Sequence, residues 1–304
     1  MRYRNKNNIN LLANPLKTDP SLLGLKNELE SRWYDLEAES YFAQLDCPGE
    51  LVAMDIDFES WFADFYDNPV APTKYDRNAR FFAALAAAPG LKVLDLGFGD
   101  GCLSRFLLRR NKEVISIDIA GKAWRFLHCS DPHSLPIKGC GEVLPFKNGS
   151  FDIVTSLVAL HHLNIDMALG EIKRVLKDDG VGIFQEPMYN SKMLYKLRQF
   201  IPIADNESPG GGGFHKKDLT VLLETHGFDY TFEEYELFTR FERLVSSKKP
   251  RPALRKFDYT LLRLFPPLRY FARTFVLIIR KKSDWIILCF PATILLLDLI
   301  AFMT

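Results

Sequence analysis

The nine residues VLDLGFGDG, 93–101, decide how the rest of this chain is read. Val93, Leu94 and Leu96 around a single Asp95 describe a buried strand, and Gly97, Gly99 and Gly101 describe the turn it empties into. A turn so nearly free of side chains lets a flat polar ligand lie against bare backbone. A helix predicted over 103–110 starts beside it with unpaired N–H groups, donors suited to an anionic or carboxylate-bearing group. The glycines follow G-x-G-x-G behind an acid, not the G-x-G-x-x-G of a dinucleotide site. A carboxylate aimed at a diphosphate repels it, whereas a cationic ligand gains from it.

Outward from that stretch, strand and helix signals alternate. A helix over 76–88 is closed by Pro89-Gly90, a second strand over 113–119 ends in Asp118 and Ile119, and a short helix is expected over 123–129. Residues 130–141, punctuated by Pro132 and Pro136, read as loop. A strand over 151–157 runs into Ala159-Leu160-His161-His162-Leu163, and an amphipathic helix over 167–176 stops at Asp178-Asp179-Gly180. A buried strand over 181–184 then ends at Gln185-Glu186-Pro187, and 216–226, 228–238, 254–264 and 270–279 read as helix, strand, helix and strand. This alternation predicts an α/β, doubly wound, mostly parallel sheet with helices on both faces and ligands at the carboxyl ends of strands. The glycine turn, Asp118, Glu142, His161 and His162, and Glu186 all fall at such ends.

The glycine stretch with Asp118, and the block 141–163 with Glu142, Leu144-Pro145-Phe146 and the His pair, resemble the class I S-adenosylmethionine-dependent methyltransferases, above all their quinone, sterol and small-molecule branch. The resemblance covers about 76–282, with its specific motifs confined to 93–187. It implies a Rossmann-like seven-stranded sheet with an antiparallel edge. It also implies S-adenosyl-L-methionine as cofactor, with ribose hydroxyls on Asp118 and cofactor contacts from Asp95, Gly97, Phe98, Gly99, Gly101, Ile119, Cys140, Gly141, Glu142 and Leu160. One departure stands out: Cys140 occupies a position, two before Glu142, where relatives usually carry an Asp that accepts from the adenine amino group. That substitution puts cofactor affinity or orientation in question.

The domain expectation is a helical, aromatic cap over 1–75, a methyltransferase domain over 76–282 with a substrate-side insert or lid over 188–227, and a C-terminal hydrophobic helix over 283–304. In the cap, Leu29, Trp33, Leu36 and Tyr41 lie at helical spacing, and Trp61, Phe62 and Tyr66 belong to an aromatic cluster, either of which serves packing or covers a substrate. Ser208-Pro209 and the four glycines 210–213 read as a lid hinge or as a plain surface loop.

For a hydroxyl or carbon acceptor a proton must also leave. The candidate bases near strand ends or the lid are His161, His162, Glu186 and His215, with adjacent His161 and His162 pointing opposite ways so that at most one faces the pocket. The five cysteines, Cys47, Cys102, Cys129, Cys140 and Cys289, form no C-x-x-C pair and read as free thiols in a reducing compartment, with no metal site expected.

A formal net charge of +1 over 304 residues conceals an asymmetry: 240–282 holds thirteen Lys or Arg against Glu242 and Asp258, a balance of +11. Residues 285–303 are apolar but for Asp298 and Pro291, follow Arg280-Lys281-Lys282, and as a helix would span about 28 Å, close to one hydrocarbon core. The expectation is a tail anchor with its basic side in the cytoplasm, the basic aromatic stretch resting on anionic headgroups, and a small or lipid-like acceptor. A helix lying on the membrane or packed on the domain, a tethered scaffold without chemistry, and an RNA methyltransferase remain as alternatives, nucleic acid being disfavoured by the apolar tail. The N-terminal residues lack an apolar secretory core, which argues against export.

Overall fold

The computed structural model describes residues 74–99, 101–120, 135–191, 213–238 and 252–282, with isolated positions 24, 27, 28, 31, 32 and 35. Its elements in chain order are α1 (Lys74–Ala87), β1 (Lys92–Leu96), α2 (Cys102–Leu108), β2 (Glu113–Asp118), β3 (Leu135–Lys138), β4 (Phe151–Leu157), α3 (Ile165–Val175), β5 (Leu176–Pro187), α4 (Lys216–Thr225), β6 (Phe228–Tyr235), α5 (Pro252–Leu264) and β7 (Thr274–Lys281). Short 3-10 helices occupy Leu160–His162 and Pro266–Phe271.

The seven strands pair in the order β3-β2-β1-β4-β5-β7-β6, parallel throughout except for β7, which runs antiparallel to both neighbours. The expected sheet and its antiparallel edge are present. Strand order reverses at β1, between β2 and β4, so the crevice lies where β1 and β4 both end. One apolar face of the sheet joins Leu94, Leu96, Val154 and Phe184 to Leu169, Ile172 and Leu223 of α3 and α4. The other joins Val93, Ile153 and Ile183 to Phe81 and Leu85 of α1, Leu107 of α2 and Leu262 of α5. Each of these side chains is fully or nearly fully buried, so the central strands carry apolar residues on both faces.

Four readings change. Residues 135–138, taken as loop, form edge strand β3; Pro136 is tolerated there because an edge strand leaves one row of backbone groups without a ladder to complete. β5 starts at Leu176, directly after α3, so Asp178-Asp179-Gly180 interrupts no chain direction and instead lies in a strand whose register slips against Phe151–Ile153. β7 begins at Thr274, with a 3-10 segment over Pro266–Phe271 where strand was expected. The carboxyl-proximal half of the expected insert, from residue 213, is scaffold: α4 buries Leu219 and Leu223 against the sheet, and Phe214 is wholly buried.

The hinge 208–212, the aromatic cluster 58–66 and the tail 283–304 lie outside the described residues. Among the described residues no helix is long and apolar enough to cross a membrane. The antiparallel course of β7 separates two stretches that the sequence places together. α5 and the Pro266–Phe271 turn lie at its Thr274 end, level with Pro187 and Tyr235, while the described chain ends at Lys282, beside the Lys281 end that is level with Phe228.

Candidate functional site

At the head of β1 the chain turns on three glycines with positive φ: Gly97 at 71°, Gly99 at 52° and Gly101 at 76°. The requirement differs among them. A Cβ on Gly97 would sit 2.4 Å from Cβ of Ala159, so the turn after β4 packs on bare backbone there. A Cβ on Gly99 meets nothing within 4 Å, so at that position the glycine answers to conformation alone. The turn is tied down by Gly97 N–H on the Ile117 carbonyl at 2.8 Å and by Gly101 N–H on the Phe98 carbonyl at 2.7 Å. Phe98 itself is buried. α2 is seven residues long and starts behind Gly101, which is left-handed and offers no side-chain cap.

Asp118, at the head of β2, is 9% exposed and accepts from Gly99 N–H at 3.0 Å and Ala120 N–H at 2.8 Å. Burial pushes its carboxyl above the ordinary range, these two donors pull it back, and the nearby charge of Asp35 adds to the rise. A carboxylate has about four lone-pair sites, so two donors leave capacity for hydroxyls of a ligand. Ser31 Oγ donates to the Ile119 carbonyl at 2.9 Å, so the N-terminal region reaches this strand end.

Asp95, read as the acid that faces the ligand, is fully buried; its Oδ2 accepts from Ser104 Oγ at 2.5 Å, and Ser104 Oγ lies 2.7 Å from Ser116 Oγ. It braces α2 and β2 beneath the turn. Cys140 is half-buried and bridges to Val143; burial and the Glu142 charge push its thiol up. A Cβ on Gly141 would lie 2.5 Å from Leu163 Cδ1, so this glycine permits a close approach. Glu142 is buried and its Oε1 accepts from Asn164 N–H at 2.8 Å, which fixes the residue that caps α3. Leu160, expected beside the cofactor, is 1% exposed and belongs to the core.

The four candidate bases do not form one group. His161, His162 and Glu186 meet at the heads of β4 and β5, whereas His215 stands at the start of α4 with Nδ1 3.7 Å from Asp218 Oδ1. Glu186 is wholly buried: Oε1 accepts from Ala159 N–H at 2.9 Å and Leu160 N–H at 2.7 Å, and Oε2 lies 2.7 Å from His161 Nδ1. Burial raises its carboxyl to about 8 against the pull of those donors and of His162. With both oxygens engaged and no exposed surface, Glu186 is a fastening of the turn and not a base for a substrate. His161, 4% exposed, is held by it, and the His162 ring lies 4.0 Å away, partly exposed.

Sequence reasoning missed Val158. A β-branched residue at φ 61°, it is 39% exposed between β4 and the His pair, and its N–H donates to the Gln185 carbonyl at 2.8 Å. No sequence signal marks a left-handed valine, because that conformation is imposed by neighbours. Asn164 and Ser104 were also missed, although an Asn ahead of an amphipathic helix is a readable capping signal.

Residues 94–184 match the methyltransferase domain family. The chain is 35% identical over 149 residues to an uncharacterized methyltransferase of Synechocystis sp., covering 47% of this chain and 69% of that protein. It is 35% identical over 148 residues to the human mitochondrial arginine-hydroxylase NDUFAF5, covering 45% of this chain and 41% of that protein, so the match spans less than half the length of that relative. Phosphoethanolamine N-methyltransferase 2 of Haemonchus contortus, solved with S-adenosyl-L-methionine, superposes with a TM-score of 0.45 at 17% identity, over 67% of this chain and 53% of that one.

Proposed function

The chain belongs to the class I S-adenosylmethionine-dependent methyltransferases, and from that premise we propose that it methylates a small or lipid-like acceptor at the cytoplasmic face of a membrane. The observation that carries the reading is the bare turn 97–101 with Asp118 beside it, an acid that keeps acceptor capacity at the head of β2. The residues present fit S-adenosyl-L-methionine: Asp118 takes the ribose hydroxyls, the backbone of 97–101 receives the amino-acid end, and Glu142 and Gly141 shape the wall near the base, with Cys140 supplying a weaker acceptor than an Asp.

When bound, the cofactor supplies an already activated sulfonium methyl group. What remains for the protein is alignment of a nucleophile and exclusion of water. His162, partly exposed beside the fastened His161, is the residue best placed to take a proton from a hydroxyl acceptor, and Val158 forms acceptor-side surface. The relative named as an arginine-hydroxylase supports a second outcome on the same scaffold, insertion of one oxygen atom of dioxygen into a C–H bond, with an added reductant supplying two electrons that take the other oxygen atom to water.

The acceptor class rests on chemistry outside the turn. Phe257, Leu264, Phe265 and Tyr270 are each more than half exposed along α5 and the following 3-10 turn, while the acid of that stretch, Asp258, is buried and spent on Leu237 and Phe238 N–H. Exposed aromatics among Lys and Arg suit a lipid interface at the Thr274 end of β7, and the apolar run 285–303, which follows the Lys281 end in sequence, is a separate candidate anchor.

Calorimetry with S-adenosylmethionine and S-adenosylhomocysteine tests the first step, and absence of binding would leave a non-catalytic scaffold. Incubation with labelled S-adenosylmethionine and lipid, quinone and RNA extracts tests the second, product mass separating methylation from hydroxylation. Flotation with anionic vesicles tests the third; no flotation at low salt defeats the membrane reading.

A further inference from the structure

Three consecutive backbone N–H groups, those of Val158, Ala159 and Leu160, are all taken by two consecutive residues of β5. The Gln185 carbonyl receives the first and one carboxylate oxygen of Glu186 receives the other two, while the second oxygen holds His161. Successive N–H groups that converge in this way form a concavity for an acceptor oxygen, and here that acceptor, a buried carboxyl oxygen, is built into the neighbouring strand. The concavity needs a left-handed residue, and the chain supplies Val158, whose branched side chain makes that conformation costly. On its far side the same turn touches the cofactor loop: Ala159 fills the space a side chain on Gly97 would need.

We propose that Glu186 is a positioning residue that clamps the turn after β4, holding Val158 in its strained conformation and pressing Ala159 onto Gly97. Through this clamp β5 sets the shape of the turn that carries S-adenosylmethionine and of the acceptor wall in front of it. Strain persists where the surroundings over-determine it, and this carboxylate is what over-determines Val158. The inference rests on the reading that S-adenosylmethionine lies on the 97–101 turn.

The test uses the full chain and the variants E186A, E186Q, V158G and E186A/V158G, with melting temperature and the affinities for S-adenosylmethionine and S-adenosylhomocysteine as readouts. V158G raises the melting temperature by about 3 °C in the wild-type background, because glycine accepts the left-handed conformation freely, and lowers S-adenosylmethionine affinity about threefold as the turn relaxes. In the E186A background the same glycine brings no gain. E186A weakens S-adenosylmethionine about tenfold, and E186Q restores most of it, since an amide oxygen can still take the two N–H groups.

The proposal is overturned if E186A binds the cofactor as wild type does, if E186Q is no better than E186A, or if V158G stabilises equally with and without the carboxylate. Should E186A fail to fold, E186Q and V158G decide alone: V158G that is more stable yet binds unchanged also overturns it. A wild type that binds neither ligand defeats the functional reading, while the stability cycle still decides whether the clamp exists.

Discussion

Two turns face each other across the head of this sheet and solve one problem in opposite ways. The turn after β1 takes its positive φ values from Gly97, Gly99 and Gly101, residues for which they cost little. The turn after β4 takes its own from Val158 and relies on a buried carboxylate to hold it. The first is shaped by local sequence and the second by a residue 28 positions further on, at the end of a different strand. Local shape can be read from a sequence, whereas imposed shape becomes visible only once the strands are paired.

The largest effect sharpens the first side of that comparison. Asp118→Ala should weaken S-adenosylmethionine about a hundredfold in calorimetry, the loss of two hydrogen bonds to a charged acceptor. Binding within a few-fold of wild type would mean that the glycine turn alone carries the ligand.

Next come the glycines themselves. Gly97→Ala should destabilise the fold by about 3 kcal/mol in denaturant unfolding, since the new methyl meets Ala159 at 2.4 Å as well as a positive φ. Gly99→Ala, with open space and only the conformation against it, should cost about 1 kcal/mol. Equal costs would show that packing between the two turns is unimportant and would break the comparison.

Titration separates two carboxylates that each accept two backbone N–H groups, Glu186 at the head of β5 and Asp152 near the foot of β4. Glu186 is raised by burial to about 8, so the folded state holds its proton more tightly than the unfolded chain; its contribution is full below about pH 4.5 and is lost as pH rises through 8. Wild-type stability should therefore fall across that window relative to Glu186→Gln.

Asp152 has the opposite sign. Burial opposes ionisation, but Lys177 at 2.5 Å and the N–H groups of Leu91 and Lys92 hold its carboxyl down at about 2. Its contribution is present above about pH 3.8 and lost as pH falls through 2, and Asp152→Asn should remove about 1 kcal/mol at neutral pH, discounted for partial exposure. Parallel pH profiles for the two variants would contradict both assignments.

The same contrast accounts for what was legible. The central strands could be read because β1, β4 and β5 are buried on both faces and carry apolar residues on both, around the buried Asp95, Thr155 and Ser156, and the antiparallel edge followed from the resemblance. Edge strand β3 was not, because its four residues include a proline and only one neighbour defines it. Gly97, Gly99 and Asp118 were found because spacing and strand ends announce them. That Asp95, Glu186 and Leu160 are buried could not be read: burial depends on which elements pack together, and a string of residues does not contain it. Val158 offered no signal at all.

Any load applied at Lys282 reaches the body through β7. That strand is stitched on both flanks, by seven rungs to β5 and eight to β6, so the rungs would have to yield together in shear and could not unzip singly from one end. A tether attached there pulls on one of the best-secured strands of the molecule and is kept mechanically apart from the two turns at the opposite end.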